Sequence, residues 1–294
     1  MASDNSDNDI VHLLDLEQIE ETIFRGVGLR TSWRRTFGGL VIAQAATAAA
    51  RTVDPDKPMH SLHGYFILPG DSVKPIVYQV ERVRDGRSFS TRRCVAIQNG
   101  QVIFFLSASF HLEEEGFSHQ TPMPMNVPDP DSLPSLADIM KNYGEIIPPV
   151  IKQYFTGERP IELRPIDLGR YLPLKDGEIR PAEQRAWVRA SRKLPDDPSL
   201  HRAVLAYLSD MTLLDTSLVT HGTTVFSQEM QAASLDHALW FHRPFRADEW
   251  LLYVQDSPNA NGALGLTRGS IYARNGDLVA SVAQEGLIRP KAAK

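Results

Sequence analysis

Ser61-Leu62-His63-Gly64-Tyr65-Phe66 and, 173 positions later, Ser234-Leu235-Asp236-His237-Ala238-Leu239-Trp240 are the two segments on which the reading of this chain turns. Each follows an apolar run of helical character, residues 39–51 before the first and 200–214 before the second. In the second run Val204, Leu205, Leu208 and Met211 share one helical face. Each segment also precedes three β-rich runs: 76–83, 89–97 and 101–111 in the first half, and 250–255, 264–273 and 278–288 in the second. Asn99-Gly100 and Asn275-Gly276 lie between the last two runs of their halves. Asn-Gly marks a tight hairpin, because both residues tolerate positive φ.

The offset is 173 at the serines and 176 at the glycines, which argues for a duplicated unit. One helix followed by consecutive hairpin strands is an α+β pattern, and a helix buried under a curved antiparallel sheet describes the hotdog fold. The expectation is a tandem (double) hotdog: two antiparallel sheets, each wrapped around a long central helix. Thirteen of the twenty prolines fall between residues 121 and 200, where they interrupt regular elements. Met123-Pro124-Met125-Asn126-Val127-Pro128-Asp129-Pro130 is expected to be extended, residues 135–141 to form a short helix and residues 184–190 to open the second sheet. The expected division is an N-terminal domain over 1–114, a Pro-rich and partly ordered linker over 115–155, and a C-terminal domain over 156–294.

The apolar fraction of 42% and net charge of −5 suit a globular protein with no general attraction to nucleic acid or anionic lipid. A single cysteine, Cys94, excludes an internal disulfide and a cysteine-based zinc site, and its alternating surroundings make it a strand residue. Met1-Ala2-Ser3-Asp4-Asn5-Ser6-Asp7 is unlike a secretory or mitochondrial signal, and Lys291-Ala292-Ala293-Lys294 is not a peroxisomal tail. Residues 40–50, the most apolar stretch, are too few to span a membrane. A cytoplasmic protein without membrane or nucleic-acid partners is expected. Sheet edges need covering, so a homodimer or larger assembly is expected too.

No Gly-x-Ser-x-Gly elbow, His-Glu-x-x-His zinc motif or Gly-x-x-x-x-Gly-Lys phosphate loop is present, so no metal or cofactor is expected. Attention falls on polar residues within apolar elements. Asp210 lies in the second helical run, where a carboxylate is costly unless hydrogen-bonded or near water. It reads either as a functional acid or as a helix-end residue that bonds the next loop. Ser234 opens an apolar strand and Gln284 interrupts another, and each alone reads as readily as a solvated strand residue. Laid in register, Ser234 falls opposite Ser61 and Gln284 opposite Ala108, while residues 38–51 contain no acid. One half thus holds an acid, a hydroxyl and an amide that the other lacks as a set, as a duplicated fold does when one of two sites is lost.

These residues and their surroundings resemble the type II acyl-CoA thioesterases. The likeness runs through Phe37-Gly38-Gly39 with Gln44, His60-Ser61 to Pro69-Gly70-Asp71, Arg84-Asp85-Gly86-Arg87-Ser88-Phe89, and Ala96-Ile97-Gln98-Asn99-Gly100. It continues through Leu235-Asp236-His237, Trp240-Phe241-His242-Arg243-Pro244-Phe245, Glu249-Trp250-Leu251-Leu252-Tyr253 and Gln284-Glu285-Gly286. The resemblance implies two hotdog domains per chain, assembly into homodimers or homotetramers, and hydrolysis of acyl-CoA. It also implies a catalytic set of Asp210, Ser234 and Gln284, with Ser in a position that accepts Thr or Ser.

Such a set suits direct hydrolysis: Asp210 takes a proton from water while Ser234 and Gln284 hold that water and the developing charge. His237, three residues beyond Ser234, is expected on the opposite sheet face and not as the base of an acyl-serine mechanism. Gly38 and Gly39, at a helix start, offer N–H groups for the thioester oxygen or a phosphate, or else serve close helix packing. Arg84 and Arg87 offer charge for a CoA phosphate, or line a solvated hairpin; His60 is a substrate contact or a structural histidine. A rival is a hotdog enoyl-CoA hydratase, through Asp196-Asp197-Pro198-Ser199-Leu200-His201, but Asp197-Pro198 reads more simply as an N-cap and first helical position. Another is a silent acyl-CoA-binding protein, which needs the pocket and not the acid.

Overall fold

The computed structural model describes residues 9–28, 35–145, 147, 160–167, 178 and 180–291. The readings made of Met1 to Asp7, of the three final residues, and of most of the linker beyond 145 lie outside them.

Among the described residues thirteen strands form a single antiparallel sheet. In chain order, β1 (Glu17–Glu20), β2 (Ile23–Gly26), helix α2 (Gly38–Ala50), β3 (Met59–Phe66), β4 (Ile76–Asp85), β5 (Phe89–Gln98) and β6 (Gln101–His111) follow a short helix α1 (Ile10–Leu14). After the proline-rich segment and helix α3 (Leu136–Tyr143) come β7 (Ile161–Pro165), β8 (Glu183–Ala190) and helix α4 (Pro198–Ser209). A 3-10 helix (Leu214–His221), β9 (Met230–Ser234), β10 (Asp236–Phe241), β11 (Leu251–Asn261), β12 (Leu264–Ala273) and β13 (Leu278–Pro290) complete the chain. The spatial order is β1-β2-β4-β5-β6-β3-β10-β13-β12-β11-β8-β7, with β9 on β13. From either outer side the same sequence of strands is met, β2-β4-β5-β6-β3 and β8-β11-β12-β13-β10. The two runs join where β3 pairs antiparallel with β10, Gly64 opposite His237.

Helix α2 is rich in alanine, the best helix former. Leu40, Val41, Ile42, Ala43, Ala45, Ala46, Ala48 and Ala49 are buried on every side, as a helix enclosed between layers requires. Strands β2 to β6 cover it on one side and α4 on the other. Its one fully buried polar side chain is satisfied: Gln44 donates to the Leu13 and Val27 carbonyls and accepts from the Tyr78 hydroxyl at 2.7 Å. Cys94 is fully buried in β5, where burial pushes its thiol pKa up and leaves it inert.

Helix α4 starts as read, with Asp197 accepting from the Ser199 amide and Pro198 in the first turn. It ends early. Helix was expected to residue 214, but α4 stops at Ser209, with Asp210 as its C-cap. Gln184 donates to the Thr212 carbonyl at 2.7 Å, and Gln255 to the Thr212 hydroxyl at 2.6 Å. These bonds draw the backbone out of the helical path. The chain restarts as the 3-10 helix, which packs on β8, β11, β12 and β13.

Both Asn-Gly signals are turns, of different kinds. Asn99 and Gly100 have φ of 52° and 74°, the two-residue turn expected. At the second only Gly276 has positive φ (95°), and the Asn275 side chain instead accepts from the Asp277 amide. Ser135 caps α3 through a capping box with Asp138. The Pro128 carbonyl accepts from the Trp187 indole, and Gln120 bridges to Gly276 and Leu278, so the described part of the proline-rich segment is fastened to the second half.

Candidate active site

The C-terminal end of α4 abuts the N-terminal end of α2. A Cβ on Gly38 would stand 2.7 Å from Asp210 Oδ2 and 2.9 Å from Phe66 Cζ, and one on Gly39 2.4 Å from the Tyr207 carbonyl. Only glycine permits this approach. The Gly39 N–H, one of the amides that a helix start leaves without an internal acceptor, donates to the Asp210 carboxylate.

Two strands supply the rest of the cluster. Ser234 ends β9 opposite Gly286 of β13, and Gln284 lies two residues back along β13 on the same side. Gln284 Nε2 donates to Asp210 Oδ1 at 2.7 Å, and the Ser234 hydroxyl donates to the same oxygen at 3.5 Å, a long bond. Gln284 Oε1 is buried and has no partner. The three sequence-selected residues therefore meet, although 74 positions separate Asp210 from Gln284.

Burial raises the Asp210 pKa from 3.8 to about 6, against the opposing hydrogen bonds from Gln284, Gly39 and Ser234. Its place at a helix C-terminus, the negative end of the helix dipole, acts in the same direction. A half-buried carboxyl group with a pKa near 6 has the basicity that proton abstraction at neutral pH calls for.

His237 departs from expectation. Leu235 interrupts the ladder between β9 and β10: its N–H bonds the Glu285 carbonyl and its carbonyl accepts from Phe66. That break shifts the alternation, so His237 faces α4 as Ser234 does. It is fully buried 2.9 Å from the Ser209 hydroxyl, and burial lowers its pKa to about 3. The Tyr253 hydroxyl donates to the Ser209 carbonyl at 2.7 Å. His237 and Tyr253 thus hold the residue before Asp210; sequence spacing did not reveal these contacts, the first because it depends on the break at Leu235 and the second because Tyr253 comes from β11, 44 positions away. His237 remains neutral and bonds Ser209, not Ser234.

The other candidates lie elsewhere. His60 Nε2 is 2.8 Å from the Ser109 hydroxyl, beside Phe89 and His111, six residues along β3 from Phe66. At about 3.3 Å per residue this is roughly 20 Å from the cluster. Exposed Arg84 and Arg87 sit at the β4–β5 hairpin, at that same far end. Arg92, which the sequence offers with Arg84 and Arg87 as charge for a CoA phosphate, is instead buried there and bonds Thr52, Asp85 and the Arg84 carbonyl. Among the described residues no three His, Cys, Asp or Glu side chains gather as metal ligands, and no helix is long and apolar enough to cross a membrane.

Residues 150–287 match the family described as acyl-CoA thioesterase, and residues 29–111 match its acyl-CoA thioesterase N-terminal domain. Acyl-CoA thioesterase 2 of Haemophilus influenzae is 39% identical over 96% of this chain and 97% of its own length. The crystal structure of an acyl-CoA thioesterase II from Mycobacterium marinum superposes with a TM-score of 0.77 at 45% identity, over 96% of this chain and 99% of that one. A protein with a hot dog fold from Alicyclobacillus acidocaldarius has a TM-score of 0.75 at 19% identity, over 96% of this chain and 98% of that one, and so shares the fold.

Proposed function

The chain belongs to the type II acyl-CoA thioesterase family, and from that premise we propose that it hydrolyses acyl-CoA to a free fatty acid and CoA by direct attack of water activated at Asp210. The observation that carries this reading is the Asp210–Gln284–Ser234 cluster, with its raised pKa and the unpaired Gln284 oxygen beside the acid. Water's oxygen attacks the thioester carbon as one of its protons passes to Asp210. Gln284 Oε1 accepts from the same water, and Ser234 orients it. The Gly38 N–H, in the first helical position and without an internal acceptor, stabilises the carbonyl oxygen as it gains charge. The C–S bond then breaks, and protonated Asp210 returns its proton to the CoA thiolate.

Direct attack is favoured over an acyl-serine because Ser234 faces a carboxylate and not a histidine. The hydratase reading pairs Asp196 with His201, but Asp196 is exposed and bonded to Arg246, while His201 accepts from the Ala247 amide. No role in this cluster is assigned to His60, Arg84 or Arg87, and no cofactor is required.

The repeated strand order and the two family matches either side of residues 112–149 support a double hotdog with domains over 1–114 and 156–294 and a linker over 115–155. A cytoplasmic homodimer or homotetramer is the proposed form. The sheet edges argue for this less than expected, since β1 has four exposed residues, two of them glutamates, and edges that short and charged need no partner. Support comes instead from the outer face of the sheet, where half-exposed Tyr65 packs on Phe105 beside His63 and Trp240. A thiol-release assay over a series of acyl-CoA lengths tests the activity, and rapid-quench labelling tests the mechanism. Release of CoA with no acyl group trapped on Ser234 is expected; a trapped acyl-enzyme refutes direct attack.

A further inference from the structure

The approach of α4 to the N-terminus of α2 has a counterpart at the other end of the helix pair. There the C-terminal end of α2 meets the N-terminal end of α4, and the two enclose a cavity of about 830 Å³. By topology it is the counterpart of the acid-bearing cleft, at the opposite pair of helix ends. Arg51 is the C-cap of α2, as Asp210 is of α4. The N-terminal turn of α4 stands where Gly38 and Gly39 stand in the other cleft.

Its walls are mostly apolar: Ala46, Ala50, Val53, Met59, Phe110 and Leu200. Its volume is within the roughly 300–1,000 Å³ of small-molecule sites. Four acids line it, and each is engaged: Asp9 caps α1 and lies near Arg192, Asp15 pairs with Arg51 and Asp54 with Lys57 within the lining itself, and Asp197 caps α4. Arg202 differs. Its Nη1 donates to the Pro198 carbonyl at 3.3 Å, but its Nε is buried without a partner. Among the described residues no carboxylate lies within ion-pairing distance of it, and Glu113 acts on it only from farther away. The Nε is closed off from the cavity, so what the cavity wall offers is the rest of a guanidinium that has no counter-ion among the described residues, a place for an anionic headgroup.

We propose that this cleft is a second acyl-chain site, which holds a long-chain fatty acid with its carboxylate at Arg202 and its hydrocarbon against the α2 wall. Hydrolysis is not expected there, because an arginine caps α2 where Asp210 caps α4, and Ala108 stands opposite Gln284 in the sequence repeat. The choice of a fatty acid rests on the hydrolase reading above, since that is the product formed at the other cleft. The cavity and its lining do not depend on it.

The test is photolabelling of the full-length protein with a diazirine-bearing hexadecanoate, followed by peptide mapping, beside a titration with plain hexadecanoate. Labels are expected on peptides spanning residues 46–59 and 197–203, with competition by unlabelled hexadecanoate. Arg202→Gln is expected to weaken labelling there about tenfold, the scale of one lost charged hydrogen bond, and to leave thiol release from acyl-CoA unchanged. Ala203→Phe, which narrows the cavity, is expected to abolish it; should that variant fold poorly, Arg202→Gln still decides. Labels confined to peptides around residues 38, 66 and 284, labels insensitive to Arg202→Gln, or no labelling at all overturn the proposal. Failure of the hydrolase reading shows itself separately, as absence of thiol release with labelling at this cleft intact.

Discussion

Replacing Asp210 by Asn is expected to make the protein more stable while it loses activity, and the gain should depend on pH. The carboxyl pKa is about 6 in the folded chain against 3.8 unfolded, raised chiefly by burial. An acid whose pKa rises on folding binds its proton more tightly in the native state, so native stability falls as pH rises from 3.8 through 6 and stays lowered above it. At about 1.4 kcal/mol per pKa unit, the difference amounts to about 3 kcal/mol of destabilisation at pH 8 and about half of that at pH 5. The asparagine side chain preserves the shape and can still accept from Gln284, but carries no charge. Urea unfolding of both proteins at pH 8 and pH 5 is the assay. The variant is expected to gain up to about 3 kcal/mol at pH 8, with the gap narrowing by about 1.4 kcal/mol at pH 5. Turnover of the same variant should fall by about 10²–10⁴, the range for a lost general base. A variant that is less stable at both values, or a gap that ignores pH, refutes the desolvated-base account; near-normal hydrolysis by the folded variant refutes the mechanism.

The pH profile of kcat/KM should rise with an apparent pKa of about 6 and level off above it, leaving about a tenth of the plateau at pH 5; a profile flat between pH 5 and 7 contradicts the assignment of the base. Gln284→Ala and Ser234→Ala should each cost less than Asp210→Asn and should not add to it, because the three act on one water, whereas Ser61→Ala in the other half should leave turnover nearly intact. Gly38→Ala pushes a methyl group to 2.7 Å from Asp210 Oδ2 and should lower kcat without loss of the fold, as read by steady-state kinetics beside circular dichroism. Sedimentation at micromolar concentration should give a mass of at least twice the 32.8 kDa chain, and a value near that of one chain counts against assembly.

Much of this protein was legible in one dimension. Hydrophobic periodicity and hairpin turns are local properties, so the helix at 38–50, the longer strands and the Asn99-Gly100 turn could be read directly, while the short outer strands β1, β2 and β7 could not. Comparing the two halves made Asp210, Ser234 and Gln284 conspicuous, because a duplicated sequence carries its own internal control. What depends on partners distant in sequence could not be read. The end of α4 is set by Gln184 and Gln255, 28 and 43 positions from Thr212, and local helix propensity cannot anticipate it. That early end turns Asp210 from a mid-helix residue into a C-cap facing Gly39. The break at Leu235 likewise turns His237 inward, against the simple alternation of a strand. The pKa of the acid was beyond sequence for the same reason, since desolvation is a property of everything packed around a group and not of its neighbours in the chain. Sequence chose the residues and the order of the elements; the approach of two helix ends, which only tertiary packing sets, decided that Asp210 is desolvated, bonded to Gly39 and raised in pKa.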